Sequence, residues 1–286
     1  MNLENRVPDE TVNYSDEHPL KEFAWLLAGV TALVVAAVAI AGYFAAELAA
    51  RMPYAVEREL VASYVEPPGK MDEPGLDAAA REMRALGARI AAAMDLEPGM
   101  EIHFRLADSA MVNAFATLGG QVFIHRGLIA RMPDENTLAL VMAHEIAHVK
   151  LRHPVRAAGR GVAISLVLAA VGLSGSGSAG DLANLAGGVT LLSFSRSQES
   201  DADREALAAI EKLYGHAGGA KELFALLGSE GRPDAARVAL LQTHPLSADR
   251  ISDLDTFARS RNWTADGQRT ALPQALAKLR EGTPRR

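Results

Sequence analysis

His144-Glu145-Ile146-Ala147-His148 is the stretch on which the reading of this chain turns. On a helix, residues four apart lie within about 40° of one another, so both imidazoles can face one cation while Glu145 reaches a water activated there. The surroundings predict that helix: Pro133-Asp134 marks its start, and an apolar stretch runs from Leu138 through Met142 toward Val149. Two surface histidines on an amphipathic helix would be the competing explanation. Ala143, Ile146, Ala147 and Val149 instead predict a buried helix, where unpaired polar groups are costly. The pattern calls for one zinc ion per chain, with His144 and His148 as ligands and Glu145 as general base.

Two histidines leave a catalytic zinc one protein ligand short. His153 lies nine residues after His144, about 180° round a continuous helix, which predicts a cap or surface residue. Glu199 is the stronger candidate, within Ser195-Arg196-Ser197-Gln198-Glu199-Ser200-Asp201-Ala202-Asp203. Glu199 and Asp203 are four apart, so Glu199 can ligate while Asp203 accepts the remaining N–H of a ligating histidine. A solvated acidic helix start is the alternative for this stretch, and the unfilled two-histidine site weighs against it. Asp201 and Glu205 are then expected to face solvent. His18, His103, His125 and His216 have no spacing that points to a ligand.

The rest of the chain sets bounds. It has 286 residues, 49% hydrophobic and 22% charged, with a net charge of −6 and no cysteine. Without cysteine, a metal must be held by His, Asp or Glu. Without a basic cluster, nucleic acid is excluded as a partner on electrostatic grounds. Residues 23–46 carry no charge, and 24 residues of helix span about 36 Å, enough for a ~30 Å hydrocarbon layer. This divides the chain into a polar segment (1–22), a transmembrane anchor in the lipid bilayer (23–48), a proline-rich connector (49–75) and a catalytic domain (76–286). A cleaved signal peptide is the rival for the apolar run, though the run exceeds the usual length. Lys and Arg are balanced on its two sides, so charge does not orient it.

Within the body, periodicity predicts a helix over residues 76–94, a strand over 101–106, and two strands within 112–124 joined near Gly119-Gly120. Two apolar stretches, 162–173 and 182–192, are each too short to span a bilayer. They are expected as core or cleft-lining helices, with a shallow membrane-contacting hairpin as the alternative.

Four blocks in order carry a resemblance: Asn113-Ala114-Phe115-Ala116 with Gly119-Gly120; His144 to His148 with His153; Ser195-Arg196 leading to Glu199 and Ala202-Asp203; and His244-Pro245 followed by Arg250. Over about residues 95–255 the chain resembles the membrane-associated gluzincin endopeptidases of the HtpX, BepA and Oma type, metallopeptidase family forty-eight. Leu118 departs from the proline often found before the glycine pair. The resemblance implies an α+β, mostly α, zincin-like fold with a small β-sheet; the one N-terminal transmembrane helix before it is read from the apolar run, whereas the HtpX type carries several spans. It implies a zinc metalloendopeptidase acting on unfolded or misfolded proteins in envelope quality control, at a bacterial inner membrane with the catalytic domain facing the periplasm. It implies that Asn113, Val122, Phe123 and Ile124 belong to an edge strand that binds extended substrate. His244 would either occupy the open zinc position in a latent state or bond the oxyanion, and Arg250 would hold that loop or assist the charge. A non-proteolytic adaptor or chaperone that keeps the fold is the rival, and Glu145 argues against it because a binding module needs no general base.

Overall fold

The computed structural model describes residues 19–62, 76–171, 194–220, 222–223, 240, 243–244 and 248–280. The polar segment 1–18, residues 63–75, the apolar stretch 182–192 and Pro245 lie outside the described residues.

The charge-free run folds as α1 (Pro19–Ala50), a helix long and apolar enough to cross a membrane. Next comes α2 (Tyr54–Ala62), so part of the expected connector is a helix docked on the body. Tyr54 joins the hydrophobic core, and polar contacts fix the rest. Tyr54 donates its hydroxyl to the Glu101 carbonyl at 2.6 Å, and the buried Glu57 accepts both the Gly119 N–H, at 2.7 Å, and the Arg152 guanidinium. Arg152 also donates to the Met52 carbonyl at 2.7 Å. Hydrophobic periodicity gives no sign of a helix held this way.

The body is built around one enclosed helix. α3 (Asp77–Ala93) buries Met83, Leu86 and Ile90, a single face at spacings of three and four. α5 (Glu135–Lys150) follows the short α4 (Arg126–Ile129) and is capped by Asp134, whose carboxylate accepts the Thr137 N–H at 2.8 Å. Every residue of α5 from Glu135 to Val149 is buried. Against it packs α7 (Arg196–Tyr214), which starts on a Ser195–Gln198 capping box and ends at Gly215 with φ 73°. Its buried positions, Glu199, Ala202, Asp203, Ala206, Leu207, Ala209 and Ile210, form a stripe facing α5. α8 (Ala248–Ser260) packs on α7, and α9 (Gln274–Lys278) on α3.

The sheet has three strands, β1 (His103–Ala107), β2 (Ala114–Ala116) and β3 (Gln121–His125), in the order β1-β3-β2. β1 runs parallel and β2 antiparallel to β3. This corrects the expectation for Val122, Phe123 and Ile124: they lie on the central strand, paired on both sides, with Val122 and Ile124 fully buried. The edge beside α5 is the three-residue β2, which Asn113 immediately precedes. A 3₁₀ turn, Leu118–Gly120, joins β2 to β3 with φ of 68° at Gly119 and 70° at Gly120. A Cβ on Gly120 would meet the Glu101 carbonyl oxygen at 2.1 Å, so glycine is required there.

A second correction concerns residues 162–173. Residues 162–170 continue α6 (His153–Ala170), which packs along α1 rather than into the body, and residues 172–173 lie outside the described residues. His153, Pro154, Val155 and Ala163 are buried, while Val162, Leu166 and Val171 are exposed. The apolarity of the stretch matches α1, and length alone does not reveal which partner an apolar helix takes.

Candidate metal centre

α5 supplies His144, Glu145 and His148 from one helical turn, and α7 supplies Glu199 and Asp203 from its own buried stripe. His244, whose N–H bonds the Leu240 carbonyl at 2.8 Å, reaches in from a segment before α8. One donor atom from each of His144, His148, Glu199 and His244 falls within 4.8 Å of all the others. His144 Nε2 lies 3.0 Å from His148 Nε2, 3.3 Å from His244 Nδ1 and 3.4 Å from Glu199 Oε2. His148 Nε2 lies 3.6 Å from Glu199 Oε1, and His244 Nδ1 lies 3.1 Å from the same oxygen. Tetrahedral zinc bonded at ~2.0–2.1 Å sets its donors about 3.3 Å apart. The donor set and its spacing therefore fit zinc.

The Peptidase family M48 pattern matches residues 77–258. The chain belongs to that family. It is 30% identical over 215 residues to the beta-barrel assembly-enhancing protease of Yersinia pestis, covering 64% of this chain and 44% of that one. To the mitochondrial metalloendopeptidase OMA1 of Schizosaccharomyces pombe it is 35% identical over 148 residues, 51% of this chain and 43% of that one. To the metalloprotease LoiP of Escherichia coli (strain K12) it is 29% identical over 162 residues, 54% of this chain and 62% of that one. The chain thus spans less than two thirds of each of these relatives.

Around the M48 centre, His144, His148 and Glu199 are each held from behind. Asp203 Oδ1 stands 3.0 Å from His144 Nδ1. Arg250 is buried and forks onto Asp203, with Nε donating to Oδ2 at 2.7 Å and Nη2 to Oδ1 at 2.8 Å, while Nη1 lies 2.9 Å from Glu199 Oε2. One guanidinium thereby neutralises two buried carboxylates. Burial lowers the His144 pKa, but the Asp203 and Glu199 carboxylates bonded to it raise it to about 10. Burial raises Glu199, yet its bonds to His144 and His244 hold it well below the usual carboxylate range. Asp203 is lowered too, its burial outweighed by His144 and Arg250. His148 is pushed well down by burial and by the neighbouring His144 and His244. A divalent cation held here would require His144 to be neutral, so its binding would be coupled to proton release.

The other predicted residues separate into two places. Glu145 is in the centre: it is 1% exposed, His244 Nε2 is 3.4 Å from its Oε1, and neither carboxylate oxygen has a hydrogen-bond partner among the described residues. Val122, Phe123 and Ile124 belong to the sheet, where Phe123 stacks on Phe115 with centroids 4.8 Å apart, and Asn113, just before β2, accepts the His125 N–H at 3.1 Å. Asp201 faces solvent, and Glu205 pairs with Lys150 at 2.7 Å.

His153 is not the surface cap its spacing predicts. It is buried, and its Nδ1 lies 2.8 Å from His148 Nδ1, on the side of that ring away from the other donors. The helix breaks first: Arg152 takes φ 62°, so His153 starts α6 and the angular count along α5 stops applying. Pro154 is the available signal, because proline in a first turn marks a new helix. Burial lowers His153 to about 4, leaving a neutral ring able to accept the His148 Nδ1–H. Phe194 stacks on His148 with centroids 4.0 Å apart and carries no signal in the sequence.

Proposed function

We propose that this chain is a zinc-dependent endopeptidase, anchored by α1, that hydrolyses peptide bonds of unfolded or misassembled proteins at the periplasmic face of a bacterial inner membrane. The observation that carries the reading is the buried Glu145 carboxylate, unpartnered among the described residues beside a converging His144, His148, Glu199 and His244 donor set. Membership in the family and the names of the relatives supply the reaction class.

Zinc, held by His144, His148 and Glu199, would supply Lewis acidity toward water and the scissile carbonyl. Glu145 accepts the proton of the attacking water and returns it to the leaving amine. Asp203 fixes the His144 tautomer so that Nε2 faces the cation, and His153 does the same for His148. Arg250 keeps Glu199 and Asp203 in place. His244 is a displaceable fourth donor, because its Nδ1 stands among the other three in this closed geometry. Substrate is expected along β2. The antiparallel register places the Ala114 and Ala116 backbone groups on the side away from β3, where an extended peptide adds a strand with little sequence demand.

The test compares wild type, Glu145→Gln and His244→Ala as full chains in detergent, measuring zinc content and casein cleavage. Wild type is expected to bind one zinc and cleave. Glu145→Gln is expected to keep the zinc and lose about 10²–10⁴-fold in rate. His244→Ala is expected to keep the zinc and cleave faster. Zinc-loaded wild type and His244→Ala that both fail to cleave would instead establish the adaptor.

A further inference from the structure

Contacts between α1 and α6 advance in opposite directions along the two helices. Arg152 donates to the Met52 carbonyl, and Arg156 pairs with Glu47. A Cβ on Gly159 would fall 2.7 Å from both the Ala45 carbonyl oxygen and the Ala49 Cβ, and one on Gly42 would fall 3.1 Å from Arg160 Cγ. The helices are therefore antiparallel and close, with small residues at the seam, as in packed membrane helices. Past Arg160, α6 runs beside the middle of the charge-free part of α1.

That half of α6 matches its neighbour in chemistry. Gly161-Val162-Ala163-Ile164-Ser165-Leu166-Val167-Leu168-Ala169-Ala170 has no charge, and its one polar side chain, Ser165, donates to the Gly161 carbonyl at 3.0 Å. Ala163 is buried against the seam side, yet Leu166 is 66% exposed and Val162 and Val171 are exposed with it. The outward apolar surface is continuous with that of α1, where Leu33, Val35 and Ile40 are also exposed. Charge ends within about 8 Å along the pair: Arg156 pairs with Glu47, and Arg160, the last charge on α6, lies against Gly42. Ten residues of helix extend about 15 Å, half of a ~30 Å hydrocarbon layer.

We propose that residues 161–170 of α6 are embedded in the lipid bilayer beside α1, entering one leaflet without crossing it. This rests on the reading of α1 as the membrane anchor. His153 starts α6 and packs on His148, and Arg160 is seven residues further on, about 10 Å along the helix. The metal centre is thereby pinned at the membrane surface, and its substrates are polypeptide segments lying against that surface.

The absence of cysteine permits a direct test. Full-length chains carrying Leu166→Cys, Val171→Cys, Val35→Cys or Asp201→Cys are labelled with bimane and reconstituted in phosphatidylcholine–phosphatidylglycerol vesicles. Quenching is measured with acyl-chain nitroxide lipids and with aqueous iodide. The expected result is that labels at 166 and 171 behave as the label at 35, quenched by the nitroxide and losing iodide quenching, while the label at 201 does the reverse. Labels at 166 and 171 that follow 201, with 35 still lipid-quenched, would overturn the embedding of α6 and leave the anchor standing. A label at 35 open to iodide would overturn the anchor, and the proposal with it. Labels at 166 and 171 shielded from both quenchers would mean that a second copy covers this face, and would also overturn it.

Discussion

α5 and α6 adjoin in the chain with two residues between them, and both contain long apolar stretches, yet they end in opposite surroundings. From Glu135 to Val149 α5 is enclosed by protein, whereas α6 is covered on one side and bare at Leu166. Apolarity therefore does not determine where a helix goes; its partners do. Enclosure has a chemical cost, because every polar group on α5 needs a counterpart from outside the helix. His144 finds Asp203 and His148 finds His153, while the Glu145 carboxylate has no hydrogen-bond partner among the described residues and only His244 Nε2 nearby at 3.4 Å, which leaves it available for chemistry. On α6 the lone hydroxyl is answered by the helix itself.

The sharpest way to break this contrast is Arg250→Ala. Removing the guanidinium leaves Asp203 and Glu199 buried without it, and losing one partner of a buried ion pair costs about 3–5 kcal/mol. Zinc content and thermal melting should both fall steeply; an unchanged melt would show that α7 and α8 are not locked by charge.

Matched truncations compare the two helices directly. Met142→Ala, at a wholly buried position on α5, should cost about 2–5 kcal/mol of stability by denaturant titration in detergent. Leu166→Ala should stay within about 0.5 kcal/mol in the same assay. Equal costs would mean that the outer face of α6 is as tightly packed as α5.

Where the two helices meet, His153→Phe keeps the ring volume and removes the acceptor for His148. Zinc affinity, measured by competition with a chelator, should weaken about 10–100-fold. Affinity equal to wild type would make the His148–His153 contact incidental.

A further effect is in pH. Asp203 and Glu199 raise the folded pKa of His144 against the opposing effect of burial, to about 10. Its stabilisation of the metal-free protein is complete below the unfolded value of about 6.5 and is lost as pH rises through the folded one. The lowered Asp203 and Glu199 lose their contributions only as pH falls below about 4, outside this window. With chelator present, the melting temperature should therefore decline between neutral pH and pH 10, and Asp203→Asn should flatten the decline.

What the sequence reveals is local. Spacing alone brings His144 and His148 onto one face, pairs Glu199 with Asp203, and places the starts of α3 and α5 within a residue or two. What it conceals is relational. β2 and β3 are both short strands flanking one glycine turn, and nothing in their alternation says which of them β1 will pair with, so centre and edge look alike. A helical wheel misplaces His153 because it assumes an unbroken helix, and a left-handed Arg152 resets the count. A length test misplaces α6 because it cannot see α1 beside it.

The Glu57 contacts set the mechanical boundary of the molecule. Counting apolar residues would end the membrane part near residue 50 and treat residues 51–62 as tether. Yet Glu57 joins the turn that feeds the central strand to the turn that ends α5, and Tyr54 holds the backbone before β1. A cut at residue 62 would strip the partners from the Gly119 amide and the Arg152 guanidinium, whereas a cut at residue 50 would spare both. α2 therefore ties α1 to the body at one carboxylate that holds both the turn before the central strand and the turn that ends α5.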